Sequence, residues 1–201
     1  MNDGKYSRYI IWLTIATVVV LFIGVLIIKN LPSSGAPLPV ITRLPDFRFT
    51  ERSGQPFGLD DMRGKISIVD FFFTSCPSIC PTMSARMAEL YQEFTGEPIL
   101  QFISISVDPD RDSLPVLKEY AQSFGVTDNR WLFLHAPIIQ VKELSEKGFM
   151  LAADQLPGGH SSRFILVDPN CQIRGYYESL DDSSLVQLDH DLRLLLKSKK
   201  R

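Results

Sequence analysis

Cysteine is scarce in this chain: 201 residues carry three, too few for a disulfide scaffold, so their placement matters more than their number. Histidine is as rare, also three. Charge of one sign is missing too. The net charge is −2 and the lysines and arginines form no stripe, which removes the electrostatic footprint of a nucleic-acid binder or of a protein built for an acidic partner. The one basic cluster, Lys197-Ser198-Lys199-Lys200-Arg201, reads as a solvated tail. No internal repeat is visible, and no Arg- and Ser-rich mitochondrial presequence opens the chain. The length suits one ordinary domain plus an extra segment.

That extra segment is a long apolar run. Tyr9–Ile28 is interrupted only by Thr14, Thr17 and Gly24. About twenty residues at roughly 1.5 Å each supply the ~30 Å needed to cross a bilayer. A cleaved signal peptide has a shorter apolar core, and no small-x-small site follows closely; Ser34-Gly35-Ala36 is the one place that leaves cleavage open as the alternative. The sequence therefore predicts an uncleaved transmembrane helix at about 9–28 within an anchor of residues 1–30. A Pro-, Ser- and Gly-containing linker of residues 31–40 follows, and then a domain of residues 41–201. Lys5 and Arg8 before the span favour an inside N-terminus only weakly, since Lys29 and Arg43 follow it. The expected location is the outer, periplasmic face of a bacterial inner membrane, where disulfides persist.

Within the domain, Pro45–Thr50 alternates like a half-buried strand, and Ser53–Phe57 turns it toward a second short one, an N-terminal β-hairpin. Ile66–Phe73 has the length and composition of a buried strand, and Pro81–Phe94 follows as a helix. Ile99–Val107 is a further apolar strand. Ser113 is placed to cap a helix that Leu114-Pro115 opens and that runs to about Phe124. Trp131–Leu134 reads as a strand, Ile138–Lys147 as a helix and Ser162–Val167 as a strand. Asp168-Pro169-Asn170-Cys171 makes a tight turn into Gln172–Tyr177, and Ser183–Lys197 closes the chain as an amphipathic helix. Strand–helix–strand–helix, then a hairpin and a last helix, is the layout of a thioredoxin-like α/β sandwich.

The chemistry gathers where the buried strand breaks off into Thr74-Ser75-Cys76-Pro77-Ser78-Ile79-Cys80-Pro81. Pro81 fits the first turn of a helix and biases Cys80 toward a cap conformation, which puts both thiols at a helix N-terminus where thiolate is favoured. Two such sulfurs trade electrons as a dithiol/disulfide or hold a soft metal ion. A thioredoxin-type reductase has two residues between its cysteines and a proline facing them. Here there are three residues between, and no proline at all from Gly158 to Asp168. In that place stands His160, in a glycine-flexible loop. Two thiolates and an imidazole suit copper; zinc wants a fourth ligand that nothing obvious supplies. Each residue also has a plainer reading. Cys76 and Cys80 can be a structural disulfide or buried thiols, and His160 an exposed loop histidine. His135 and His190 read as packing and solvated-face residues, Met83 and Met87 as core. Cys171 reads as incidental or as an exposed thiol. The Asp108–Asp112 run reads equally as a helix cap holding Arg111 or as part of a site.

Phe73-Thr74-Ser75-Cys76-Pro77-Ser78-Ile79-Cys80-Pro81 resembles the signature of the Sco/SenC family of copper chaperones. So do Ile103–Asp112, containing Ser106-Val107-Asp108-Pro109-Asp110-Arg111-Asp112, and His160-Ser161 with Asp168-Pro169 downstream. The resemblance covers about Pro45–Lys197 and extends to the single anchor. It implies a thioredoxin-like domain that binds one copper, as Cu(I) or Cu(II), through Cys76, Cys80 and His160, with Asp108 as a supporting residue near the site. It also implies work on the dinuclear copper site of cytochrome c oxidase subunit II, directly or with that subunit's assembly factors. The family delivers copper, reduces the subunit's cysteines through a dithiol such as Cys76 and Cys80, or both. As an enzyme the chain would be a thiol-disulfide oxidoreductase; a peroxide-reducing variant is more distant. Two departures stand out. Gly159 occupies a place where the family often has an acidic residue, and Cys171 a turn position where glycine is usual and a positive φ would strain it.

Overall fold

The computed structural model describes residues 12–22 and 38–199. Residues 12–22 are helical (α1) with exposed side chains. The remainder of the expected 9–28 span, and the Ser34-Gly35-Ala36 run, lie outside the described residues. Among those described, no helix is long and apolar enough to cross a membrane. Residues 38–199 belong to a separate compact unit.

Eight strands make one mixed sheet. They are β1 (Thr42–Arg43), β2 (Arg48–Glu51), β3 (Pro56–Gly58), β4 (Ile66–Phe72), β5 (Leu100–Ser106), β6 (Trp131–His135), β7 (Arg163–Val167) and β8 (Gln172–Glu178), in the spatial order β1-β8-β7-β4-β5-β6-β2-β3. β4, β5 and β6 run parallel, in register Ile66↔Leu100 through Phe72↔Ser106 and Phe102↔Trp131 through Ile105↔Leu134. The parallel pairs are joined through α3 (Cys80–Glu93) and α4 (Leu114–Ser123), while α2 (Leu59–Met62) leads into β4. β7 turns antiparallel against β4, and β8 pairs with β7 in a hairpin before α6 (Asp182–Lys199). This is the thioredoxin-like α/β arrangement, with the β2–β3 hairpin added beyond β6. All seven residues of β4 and all seven of β5 are buried. That burial on both faces explains why the two strands are mostly apolar along their length, their polar residues Ser67, Asp70, Gln101, Ser104 and Ser106 being buried with the rest.

Several elements differ from their sequence-based bounds in ways that have physical reasons. β1 was not expected: two residues pair with Ile173 and Gln172 about 130 positions away, a contact no local pattern announces. α3 begins one residue early. Ile79, in the right-handed helical region, is its N-cap, so Cys80 is its first residue and not a cap. A proline at the second helical position costs nothing, because the N–H it lacks would have no partner in the helix's first turn. The Ile138–Lys147 helix is α5 (Ile138–Glu143) followed by a π turn, Leu144–Gly148. Met83 and Met87 are fully buried in the core. Cys171 is buried, not exposed. It takes φ +58° in the turn after β7, where its amide donates to Asp168 O at 2.9 Å.

Candidate metal centre

Each of the three side chains of interest comes from a different piece of backbone. Cys80 sits in the first turn of α3 and has no exposure; Cys76 lies in the loop between β4 and α3; His160 lies in the loop before β7. Their ligand atoms, two Sγ and one ring nitrogen, all fall within 4.8 Å of one another. All three cysteines in the chain are free thiols. Ser75, Pro77 and Gly158 and Gly159 are exposed, so the cluster is only one layer beneath solvent.

The imidazole is fixed from two directions. Nδ1 lies 3.1 Å from the Ser161 carbonyl oxygen, which can only accept, so Nδ1 carries the proton and Nε2 offers its lone pair. That lone pair is 3.2 Å from Cys80 Sγ. Phe73 meets the ring edge-on, with centroids 5.5 Å apart and planes at 89°. Burial holds the His160 pKa below its ordinary 6.5, against hydrogen bonds to the Ser161 and Phe71 backbone that pull it up. The ring is therefore neutral, as a ligand must be. Gly159 has a structural reason to lack a side chain, since a Cβ there would stand 2.8 Å from the Cβ of Gln155.

The two thiols are unlike. Burial pushes Cys76 up, but the N–H groups of Cys80, Ser78 and Ile79 and the Cys80 thiol point at its sulfur and bring it below its ordinary 9.0. Cys80 is pushed far above that value, by burial first and then by Cys76 and the charge of Asp70, with a hydrogen bond from the Phe73 backbone offsetting only part. Cys76 is thus the more acidic thiol of the pair, and Cys80 the one that holds its proton more tightly.

Asp108, the acidic residue expected near the site, is not part of the group. Its carboxylate accepts from Arg111 at 3.1 Å and its amide donates to Ser106 Oγ at 3.2 Å. The residue that reaches the cysteine loop is Asp112, fully buried. It accepts the Thr74 amide at 3.2 and 3.3 Å, the Thr74 hydroxyl, and the Ser106 hydroxyl at 2.6 Å. Asp112 stood in the sequence as one of three alternating aspartates, with nothing local to separate it from Asp108 and Asp110. His135 is a packing residue whose Nε2 lies 3.2 Å from Pro109 O, and His190, half exposed, pairs with Asp191.

Comparison with known proteins gives a consistent picture. The SCO1/SenC family model matches residues 41–189. The structure of a SCO1/SenC family lipoprotein from Bacillus anthracis str. Ames aligns with a TM-score of 0.73 at 31% identity, covering 81% of this chain and 99% of that one. BsSco, described as a member of the Sco family of cytochrome c oxidase assembly proteins with a disulfide switch, aligns with a TM-score of 0.69 at 26% identity, over 80% of this chain and 98% of its own. A putative copper-binding protein of Stutzerimonas stutzeri is 30% identical over 152 residues, 69% of this chain and 71% of that protein.

Proposed function

The chain belongs to the SCO1/SenC family, and from that premise we propose that it is a copper-binding chaperone whose cargo is held by Cys76, Cys80 and His160. The observation that carries the proposal is the convergence of two sulfurs and one neutral imidazole nitrogen within 4.8 Å. The donor set fits the cargo: thiolates suit Cu(I), and imidazole serves either oxidation state. Cys76, the more acidic thiol, gives up its proton to the ion more readily than Cys80, both sulfurs bind as thiolates, and Nε2 closes the set. The relatives' descriptions, copper binding in one and cytochrome c oxidase assembly in another, support a partner in oxidase assembly. The dinuclear copper site of subunit II, or its assembly factors, is the target we propose.

The same reading includes residues 1–30 as an anchor with one transmembrane helix at about 9–28, residues 31–40 as linker, and residues 41–201 as the working domain. That domain stands on the periplasmic side of a bacterial inner membrane. The test is Cu(I) titration of the full chain in detergent. His160→Ala should weaken binding by at least about tenfold, since even outer partners of a metal site carry that much. The Cu(II) form should show a sulfur-to-copper charge-transfer band that Cys76→Ser or Cys80→Ser abolishes. Unchanged Cu(I) affinity in His160→Ala would sink the three-ligand reading.

One observation favours a second role, as a thiol-disulfide oxidoreductase: the inequality of the two thiols. Cys76 thiolate would attack a target disulfide, forming a mixed disulfide and releasing one target thiolate. Cys80 would then attack Cys76 Sγ, closing the Cys76–Cys80 disulfide and releasing the second target thiol, so two electrons pass to the target. The electrons pass through the two sulfurs alone, so His160→Ala should leave the net exchange possible and change at most its rate, since Nε2 faces the Cys80 thiol whose proton must leave.

A further inference from the structure

Three backbone segments deliver the three ligand atoms, and two of them have an evident anchor. Cys80 is held by α3, and His160 by the loop that feeds β7 and by its Nδ1–H bond to Ser161 O. Cys76 sits in no helix or strand: it stands midway along the loop between β4 and α3. Its sulfur faces the N–H groups of Ser78, Ile79 and Cys80, but its chain neighbours Ser75 and Pro77 are exposed, so the loop's course depends on how it leaves β4.

We infer that Asp112 is the positioning residue of the cysteine loop: its buried carboxylate fixes Thr74, and through Thr74 sets where the Cys76 sulfur stands relative to Cys80 and His160. This rests on the copper-site reading above. The β4–β5 ladder ends at Phe72↔Ser106, and its last bond runs from the Val107 amide to Phe72 O at 2.9 Å. Beyond that point the sheet has nothing to give the Thr74 amide. Asp112 supplies the acceptor, with both carboxylate oxygens in range of that amide, while the Thr74 hydroxyl bonds one oxygen and the Ser106 hydroxyl the other. The carboxylate is buried, and the neighbouring Arg111 is turned to Asp108 instead. The carboxylate thus draws its hydrogen bonds from the ends of both strands, at the point where the cysteine loop departs.

The geometry has a chemical consequence. Cys76 N–H closes a turn onto Phe73 O at 3.3 Å, so Thr74 lies inside the turn that presents the sulfur. With Thr74 clamped, the loop's take-off direction is set before any ion arrives. Without the clamp the turn can drift, and a three-coordinate site is intolerant of a sulfur displaced by a fraction of an ångström. Charge-assisted bonds to a buried carboxylate are the stronger kind, which suits a single residue to this task.

The test is Asp112→Asn, made in the full chain in detergent, with Thr74→Val as the milder variant that removes only one of the donors. Thermal unfolding confirms that each variant is folded. Cu(I) affinity by competition with a chelator, the position and intensity of the Cu(II) charge-transfer band, and the equilibrium of the Cys76/Cys80 pair with glutathione are then measured. The expected result for folded Asp112→Asn is a Cu(I) affinity about 10- to 100-fold lower, in the range found for outer partners of metal sites, with a shifted or weakened band. Thr74→Val should change both in the same direction and less. His160→Ala, run beside them, separates the two ideas. If His160→Ala weakens copper binding while a folded Asp112→Asn stays within twofold of wild type on affinity, band and glutathione equilibrium, the positioning role is overturned and the copper reading stands. If neither variant alters copper binding but Asp112→Asn shifts the glutathione equilibrium, the copper reading falls and the positioning of the dithiol survives. Should Asp112→Asn not fold, Thr74→Val decides, and wild-type behaviour in all three measurements overturns the inference.

Discussion

Asp70 occupies the middle of β4, fully buried, and neither of its carboxylate oxygens has a well-formed hydrogen bond. Burial raises its pKa from 3.8 to about 7, and the hydroxyl of its register neighbour Ser104 offsets this only in part. The Ser104 oxygen is already an acceptor for the Trp131 indole N–H at 2.9 Å. The folded chain therefore holds the Asp70 proton more tightly than the unfolded chain does. Its contribution to stability is complete below about pH 4 and is lost as pH rises toward and past 7, by roughly 4 kcal/mol at full ionisation. Asp70→Asn should remove that slope: denaturant unfolding should show the variant gaining on wild type by a few kcal/mol between pH 5 and pH 8. An equal difference at both pH values would show that the carboxyl is not ionising where it sits. At this scale the sequence was legible where chemistry and spacing coincide. Cys76 and Cys80 flank Pro77 at a strand end, and His160 stands in a loop otherwise rich in glycine. It was mute where identity depends on a distant partner. Asp108 and Asp112 differ by four positions and by nothing in composition, yet only Asp112 meets Thr74. Asp70 read as one polar residue in an apolar run.

At the scale of the element, β8 does more than complete the hairpin. Its Tyr176 hydroxyl donates to Phe149 O at 3.0 Å, at the start of the segment that leads to His160. Just past its end, Ser179 donates both its amide, at 3.1 Å, and its hydroxyl to Ser162 O, two residues beyond His160. The histidine loop is thus fastened on both sides to one strand. That strand is held in turn by Tyr177, whose hydroxyl donates to Asp191 of α6 at 2.8 Å. Ser179→Ala keeps the amide bond and loses the hydroxyl. A cost of about 1 kcal/mol follows, and with it a fall in melting temperature of about 2–4 °C. Amide exchange at Gly159–Ser162 should quicken more than in β4. Exchange that speeds up uniformly, or only in α6, would show that Ser179 does not fasten the loop. Elements with a strong internal pattern, such as β4, β5, α3 and α6, were readable to within a residue or two. The two-residue β1 and the π turn were not. The first is defined wholly by its pairing with β8, and the second departs from its helix by a single hydrogen-bond step that leaves the apolar spacing intact.

For the molecule as a whole, the core runs as one cluster from Leu44 to Leu196 and reaches the metal centre, with Cys76 and Cys80 themselves among its members. The three side chains of the centre, Cys76, Cys80 and His160, all come from within this one packed unit. If residues 1–30 anchor the chain and residues 41–201 hold the copper, the two properties should separate cleanly. The full chain should sediment with membranes and resist alkaline carbonate, while a chain begun at Pro32 should appear in the soluble fraction with the same Cu(I) affinity, to within about twofold. Removing about twenty apolar residues abolishes the favourable transfer of that run into hydrocarbon, which is far larger than any peripheral contact can replace. A truncated chain that still pellets with membranes would place the anchoring elsewhere, on the domain surface. One that leaves the membrane but loses copper would show that the apolar segment supports the fold of the centre as well as its location.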